Sequence, residues 1–256
     1  MAAFSLAERL RVGETVFSAW TTLASPLVVE AMAREGFGAV NLDAQHGMWD
    51  VGTLIAGIGA VRAAGAAPLV RVPPEDFGLV SRALDLGAEA IIAPMINTAA
   101  DARRFVAAAK YPPLGERSWG PVRAMMLQGQ TTATDYLREA NAGTLTMAMI
   151  ETPAALRNAA EIAGTPGIDC LFVGPYDLAT SLSEGKAQDI TAAEVERAVD
   201  AICAAAAKAG KIPGIYCRDP ARAVAMAKRG FRFIAVASDL NIFREGTAAI
   251  LNALKN

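Results

Sequence analysis

Short apolar runs alternate with alanine-rich amphipathic stretches along almost the whole chain. The apolar runs cover residues 15–19, 39–42, 67–70, 90–93, 145–150, 170–173, 212–216 and 233–237. Being apolar throughout and bounded by turn residues, they predict strands buried on both faces. Helices are predicted between them at 26–35, 51–64, 77–86 and 99–109, and later at 154–163, 192–209, 220–228 and 242–254. Gly36, Gly65, Gly87, Gly164, Gly210 and Gly230 each stand just before a strand, where a helix stops. Eight such units in 256 residues predict one domain over residues 1–256, an α/β chain closed as a (β/α)8 TIM barrel, a fold that typically takes about 250 residues. An open nucleotide-binding sheet shares the alternation but needs a glycine-rich turn after a strand. Gly57 and Gly59 instead fall inside a predicted helix with no third glycine after them. The one irregular connection, 111–143, is long enough to predict a functional loop.

Composition narrows the classes. Hydrophobic residues make up 53% of the chain, enough for a large core, and no apolar run reaches the length of a membrane span. Residues 1–11 include Glu8 and Arg9 and lack a continuous apolar middle, so no secretory signal is predicted. The net charge of −2 is well mixed, with no basic stripe for nucleic acid or for a membrane surface. Cys170, Cys203 and Cys217 are scattered without metal-ligand spacing, as in a protein of the reducing cytoplasm.

Barrel enzymes carry their chemistry at the carboxyl ends of the strands. That rule selects Trp20, then Asp43, Gln45 and His46, then Arg71, Asn97, Glu151, Gly174 with Pro175 and Asp177, Arg218 and Asp239. Glu151 and Asp177 follow adjacent strands, and two facing carboxylates repel unless a divalent cation lies between them. Oxygen ligands suit Mg2+ or Mn2+; a salt bridge, or a helix cap at Asp177, would also account for the pair. His46 is the one histidine of the chain. It lies three residues after Asp43, whose carboxylate could fix its tautomer for acid–base work. Arg71 ends an apolar strand, where its fork suits either a buried acid, Asp43 or Asp85, or an oxyanion. The six lysines fall on helices and loops, so no Schiff-base lysine is predicted inside the barrel.

Asn-Leu-Asp-Ala-Gln-His-Gly, Leu-Val-Arg-Val, Ile-Ala-Pro-Met, Tyr-Pro-Pro-Leu-Gly-Glu-Arg, Ile-Glu-Thr and Phe-Val-Gly-Pro-Tyr-Asp-Leu occur in that order. Together they resemble the HpcH/HpaI family of class II, metal-dependent pyruvate aldolases, barrels of the phosphoenolpyruvate/pyruvate type. The resemblance implies reversible cleavage of 4-hydroxy-2-oxo acids to pyruvate and an aldehyde, through a pyruvate enolate. The 4-hydroxy-2-oxoheptanedioate and 2-keto-3-deoxy-sugar-acid aldolases are the type. It also implies that Glu151 and Asp177 hold Mg2+ or Mn2+, with Co2+ as a substitute. His46, oriented by Asp43, would serve the proton steps, Arg71 the pyruvate oxygen, and Asp85 a supporting role. Trp20 and Gln45 would line the substrate pocket, and the backbone at Gly174 and Pro175 would meet the pyruvate carboxylate. A hexamer, a dimer of trimers whose last helix packs on a neighbour, is the implied assembly. Met149 departs from the pattern, since many relatives have glutamine there. The rival readings are an acyl-CoA-dependent lyase of the same superfamily, which would want a basic nucleotide surface, and a barrel that binds oxo acids without turnover.

Overall fold

The computed structural model describes residues 5–255. The strands β1 (Val16–Thr21), β2 (Ala39–Asp43), β3 (Ala67–Arg71), β4 (Ala90–Ala93), β5 (Leu145–Ile150), β6 (Cys170–Val173), β7 (Ile212–Cys217) and β8 (Phe233–Val236) pair in parallel with their sequence neighbours. β8 returns to β1 through Val16↔Phe233 and Ala19↔Val236, which closes the barrel. The predicted strands differ from these by at most two residues at an end, and Trp20 lies within β1 rather than after it.

Because successive strand residues face opposite ways, the strands divide into two sets. Leu42, Val70, Ile91, Ile150, Leu171, Ile215 and Ile234 face outward and join the helices in one apolar layer. Ala39, Leu69, Ile92, Met147, Cys170, Phe172 and Phe233 face inward and fill the barrel. The same two-residue step places Trp20, Asp43, Arg71, Glu151, Gly174 and Tyr216 on the inner face at the carboxyl ends. The other end is closed by a helix, Ser5–Arg11, whose Leu6 and Leu10 join the inner cluster. Of the amino-terminal stretch 1–11 read above for a signal, residues 1–4 lie outside those described.

Helices Pro26–Arg34, Val51–Ala63, Phe77–Leu86, Ala99–Ala109, Ala193–Lys208 and Pro220–Lys228 lie where the periodicity predicts them. Their amino ends are capped where a short polar side chain precedes them: Asp50 with Thr53 and Thr98 with Asp101 form reciprocal capping boxes. The predicted helix at 154–163 is two short helices, Pro153–Arg157 and Ala159–Gly164, divided at Asn158, whose side chain donates to the Asn97 carbonyl. The connection 111–143 is less irregular than predicted, holding Val122–Gln128 and Ala133–Gly143. Asp239–Ala253 starts earlier than predicted, with Ser238 capping it, and only Asp239 along its length is buried. No helix among the described residues is long and apolar enough to cross a membrane.

Candidate active site

Asp43 is the hub of the open end. Arg71 donates from Nε at 2.8 Å and from Nη2 at 2.5 Å, so the guanidinium is held in a two-pronged pair. The Trp20 indole N–H donates to the same carboxylate at 3.2 Å, and the Arg71 guanidinium lies 4.7 Å from the centre of the Trp20 ring. The backbone amides of Gln45 and His46 complete the shell at 3.1 and 3.2 Å. Burial pushes the Asp43 carboxyl up, but the Arg71 fork and the two amides outweigh it and hold it below the usual range. The loop after β2 can turn this tightly because residue 47 is glycine: a Cβ there would lie 2.3 Å from the Asp43 carbonyl oxygen. Asp43 therefore shapes the His46 loop through main-chain amides; its oxygens are occupied by Arg71 and Trp20 rather than by the imidazole.

Glu151 is 2% exposed just beyond β5. Its Oε1 accepts the Met95 amide at 2.7 Å, and no described residue donates to Oε2. Burial raises its carboxyl to about 7; the Met95 amide opposes this, while the nearby Asp177 charge adds to it. Gly174 makes the close approach: a Cβ there would meet Glu151 Oε2 at 2.5 Å and the Met149 methyl at 2.8 Å. After it the chain enters the helix Pro175–Leu182, with Asp177 in the first turn. Gly174, as its N-cap, makes no side-chain cap bond, so the amides of the first turn keep free hydrogens and a positive dipole end.

A cavity of about 230 Å3 opens here, lined by Trp20, His46, Arg71, Met149, Gly174, Pro175 and Asp177 together with Phe172, Tyr176 and Tyr216; Glu151 is not in its wall, and its Oε2 lies against Gly174. Sequence reasoning did not single out Phe172, Tyr176 and Tyr216. Trp20 and Tyr216 meet edge to face at 5.4 Å, and Tyr176 stands 6.1 Å from Tyr216. Burial pushes the Tyr216 phenol up to about 12, so it stays a hydroxyl donor at the cavity wall.

The other candidates divide. The Gln45 side chain is not part of the cavity wall; its Oε1 is buried and unpartnered. Asp85 stays outside the cavity in this chain, because it sits in the last turn of Phe77–Leu86, whereas the site forms at the strand ends. There it pairs with Arg117 at 2.6 Å. Asp239 accepts from Thr22 and Leu23 amides, the Thr22 hydroxyl and the Leu240 amide, a rim clasp. Asn97 is bonded to Met95, Thr152 and Asn158 and ties neighbouring loops. Lys110, at the end of Ala99–Ala109, is nevertheless buried, at 1% exposure. Its ammonium meets Asp169 at 2.8 Å and the Asn141 and Thr144 carbonyls, away from the mouth, so no lysine lines the cavity.

Glu151 and Asp177 offer oxygens only, Glu151 Oε2 without a donor, and Arg71, the one arginine or lysine lining the cavity, gives two of its nitrogens to Asp43. That donor set fits a hard divalent cation. Among the described residues no cluster of three or more His, Cys, Asp or Glu side chains could hold a metal ion, so the pair would leave most coordination positions to substrate and water.

Over residues 17–246 the sequence matches the HpcH/HpaI aldolase/citrate lyase family. It is 37% identical to a hydroxypyruvate/pyruvate aldolase of Paraburkholderia phytofirmans, covering 98% of this chain and 97% of the relative. It is 36% identical to a 5-keto-4-deoxy-D-glucarate aldolase of Klebsiella pneumoniae, covering 92% and 91%. The fold matches the crystal structure of an HpcH/HpaI-type aldolase/citrate lyase family protein from Burkholderia cenocepacia with a TM-score of 0.90 at 35% identity, covering 98% and 99%. The closed parallel barrel, with aldolase relatives that cover nearly all of the chain, makes it a barrel lyase. The chain belongs to the HpcH/HpaI aldolase/citrate lyase family.

Proposed function

We propose that this chain is a divalent-metal-dependent aldolase that reversibly cleaves 4-hydroxy-2-oxo acids into pyruvate and an aldehyde. That it is a pyruvate-type aldolase, a carbon–carbon lyase, rests on the family match and on aldolase relatives that cover nearly all of it. The observation that carries the metal-dependent reading is the mouth itself: two neighbouring carboxylates, neither in an ion pair with a described residue, beside an arginine already locked on Asp43.

In this reading Glu151 and Asp177 would hold Mg2+ or Mn2+, which supplies Lewis acidity to the keto group when bound. The remaining work falls to the chain's own groups. The free amides at the start of Pro175–Leu182, beyond Gly174 and Pro175, receive the pyruvate carboxylate. Arg71 gives two nitrogens to Asp43 and keeps Nη1 for the oxygen that becomes the enolate oxyanion, and because it is already fixed it needs no reorganisation when charge appears. His46, at the rim of the cavity, takes the proton of the C4 hydroxyl, directly or through water. The C3–C4 bond then breaks, its electron pair passes to the pyruvate fragment, and the aldehyde leaves. Protonation at C3 gives pyruvate, and synthesis runs the steps backwards. Trp20, Phe172, Tyr176 and Tyr216 form the wall that excludes water around the acceptor carbonyl.

The assembly belongs to the same reading: a homo-oligomer, a hexamer of two trimers. Its support is the helix Asp239–Ala253, whose one buried residue is Asp239 and whose Ile242, Phe243 and Ile250 are exposed beside Leu27. Three free cysteines fit a cytoplasmic setting.

The deciding experiment is chelation. A chelator should abolish both pyruvate release from a 4-hydroxy-2-oxo acid and exchange of the pyruvate methyl protons with deuterium, and Mg2+ or Mn2+ should restore both. Full activity in a metal-free preparation overturns the reading.

A further inference from the structure

The plugged end of the barrel carries a second cavity that the aldol chemistry does not use. It encloses about 430 Å3 between the last turn of Ser5–Arg11 and the starting edges of β6, β7 and β8. Three basic side chains line it, Arg11, Lys211 and Arg232, against one acid, Asp169.

That acid is already neutralised from behind. Asp169 Oδ2 accepts from the buried Lys110 ammonium at 2.8 Å and from the Thr146 amide and hydroxyl at 3.0 Å each. The three cations of the cavity are therefore in excess, in a chain whose net charge is −2. Their hydrogen-bonding capacity is also mostly unspent. Arg11 gives one nitrogen to the Ala142 carbonyl at 2.5 Å and comes no nearer than 3.8 Å to Asp169. Arg232 gives Nη1 to the Ala227 and Phe231 carbonyls. Lys211 makes no side-chain bond to any described residue. Each guanidinium is thus anchored on main-chain oxygens with its remaining N–H groups free, which lowers the ordering cost of receiving an anion. Like charges gathered in one hollow repel, and a bound anion relieves that repulsion.

We propose that this cavity is a binding site for a phosphorylated small molecule, its phosphate seated among Arg11, Lys211 and Arg232. A phosphate dianion answers an excess of three cations better than a single carboxylate does, and the guanidinium fork matches its oxygens. The hollow is larger than a bare phosphate needs, and Leu10, Ile212 and Pro213 supply an apolar wall for the organic part. The site lies at the far end of the barrel from the mouth, so the proposal is independent of the metal and of the aldol mechanism.

The test uses the full-length protein at low ionic strength, with inorganic phosphate and glycerol 3-phosphate as probes in calorimetry and thermal melts. Both should bind saturably and raise the melting temperature, glycerol 3-phosphate more tightly, while chloride at matched ionic strength should not. Lys211→Ala should weaken both by about tenfold or more, the scale of one charge-assisted hydrogen bond. Lys211 has no partner to lose, so the variant keeps the wild-type melt without ligand. Arg232→Gln should weaken binding likewise, and Asp177→Asn at the mouth should leave it unchanged. Wild-type affinity in Lys211→Ala overturns the proposal. So does competition between phosphate and pyruvate, which would put the anion at the mouth, and so does a response no larger than that to chloride.

Discussion

At the plugged end of the barrel, Glu89 accepts the Leu6 amide at 3.0 Å and an Arg62 nitrogen at 2.7 Å, while at the mouth Glu151 accepts one amide and faces the like charge of Asp177. Both carboxyls are almost fully buried, and burial pushes both up. The neighbours differ: Arg62 and the Leu6 amide pull Glu89 back down, whereas at Glu151 the pull of the Met95 amide and of Arg71 is opposed by the like charge of Asp177. One end spends its charge on holding the plug in place. The other keeps a buried carboxyl, raised to about 7, in no ion pair with a described residue. Perturbed acids of the second kind mark functional sites more reliably than burial alone.

The comparison can be broken first at the mouth. Arg71→Ala should lower kcat about 10²–10³-fold, the effect of removing one oxyanion donor, and slow deuterium exchange into pyruvate to match. Arg71→Lys should rescue little, because an ammonium cannot span both Asp43 oxygens. Exchange at the wild-type rate in both variants would reassign Arg71 to ground-state binding. His46→Ala should cost about 10²–10⁴-fold in cleavage with an unchanged melt. A lost cooperative transition there would make His46 structural instead.

At the other end the readout should reverse. Glu89→Ala leaves Arg62 buried without its acid and should cost about 3–5 kcal/mol of stability, measured by denaturant unfolding, while kcat per folded molecule stays at the wild-type value. A fall in kcat with little loss of stability would mean that the two ends are coupled.

A smaller effect sharpens the contrast through pH. The folded-state Glu151 carboxyl lies near 7, above its ordinary 4.5, so the metal-free folded protein binds more protons than the unfolded chain in that interval. The stabilisation is fully present below about 4.5 and is lost as pH rises through about 7. Melts of the metal-free protein should therefore fall across this window. Glu89 adds to the trend in the same direction, and Glu151→Gln should remove its own share of the slope. Metal affinity should run the opposite way, rising with pH as Glu151 ionises. A flat difference between wild type and Glu151→Gln would mean that Glu151 is not the group titrating.

Much of this was legible in the sequence because a parallel barrel writes its strands as unbroken apolar runs. Asp43, Arg71 and Glu151 stood out as charges ending such runs. Phe172, Tyr176 and Tyr216 did not, since an aromatic residue at a strand end reads as core; only the two-residue step from Gly214 would have turned Tyr216 toward the mouth. The helices Val122–Gln128 and Ala133–Gly143 were hidden by the Pro and Gly clusters around them, although Thr132 with Asp135 is a helix-start signal. Asp85 shows the limit of reasoning by residue type: a carboxylate on a helix cannot be assigned to the mouth without knowing which turn it occupies. Met149, which the resemblance marks as a departure, does line the cavity and is not distant packing.

Trp20 gives its indole N–H to Asp43, stacks beneath Arg71 and touches Tyr216. The chain's other indoles sit elsewhere, Trp49 bonded to the Thr21 carbonyl and Trp119 among Tyr111 and Tyr136. The chain thus has a fluorophore wired into its Asp43–Arg71 pair. Any ligand that draws on Arg71 or repolarises Asp43 changes the electric field across that ring, so occupancy of the mouth can be followed optically, without a label and without turnover.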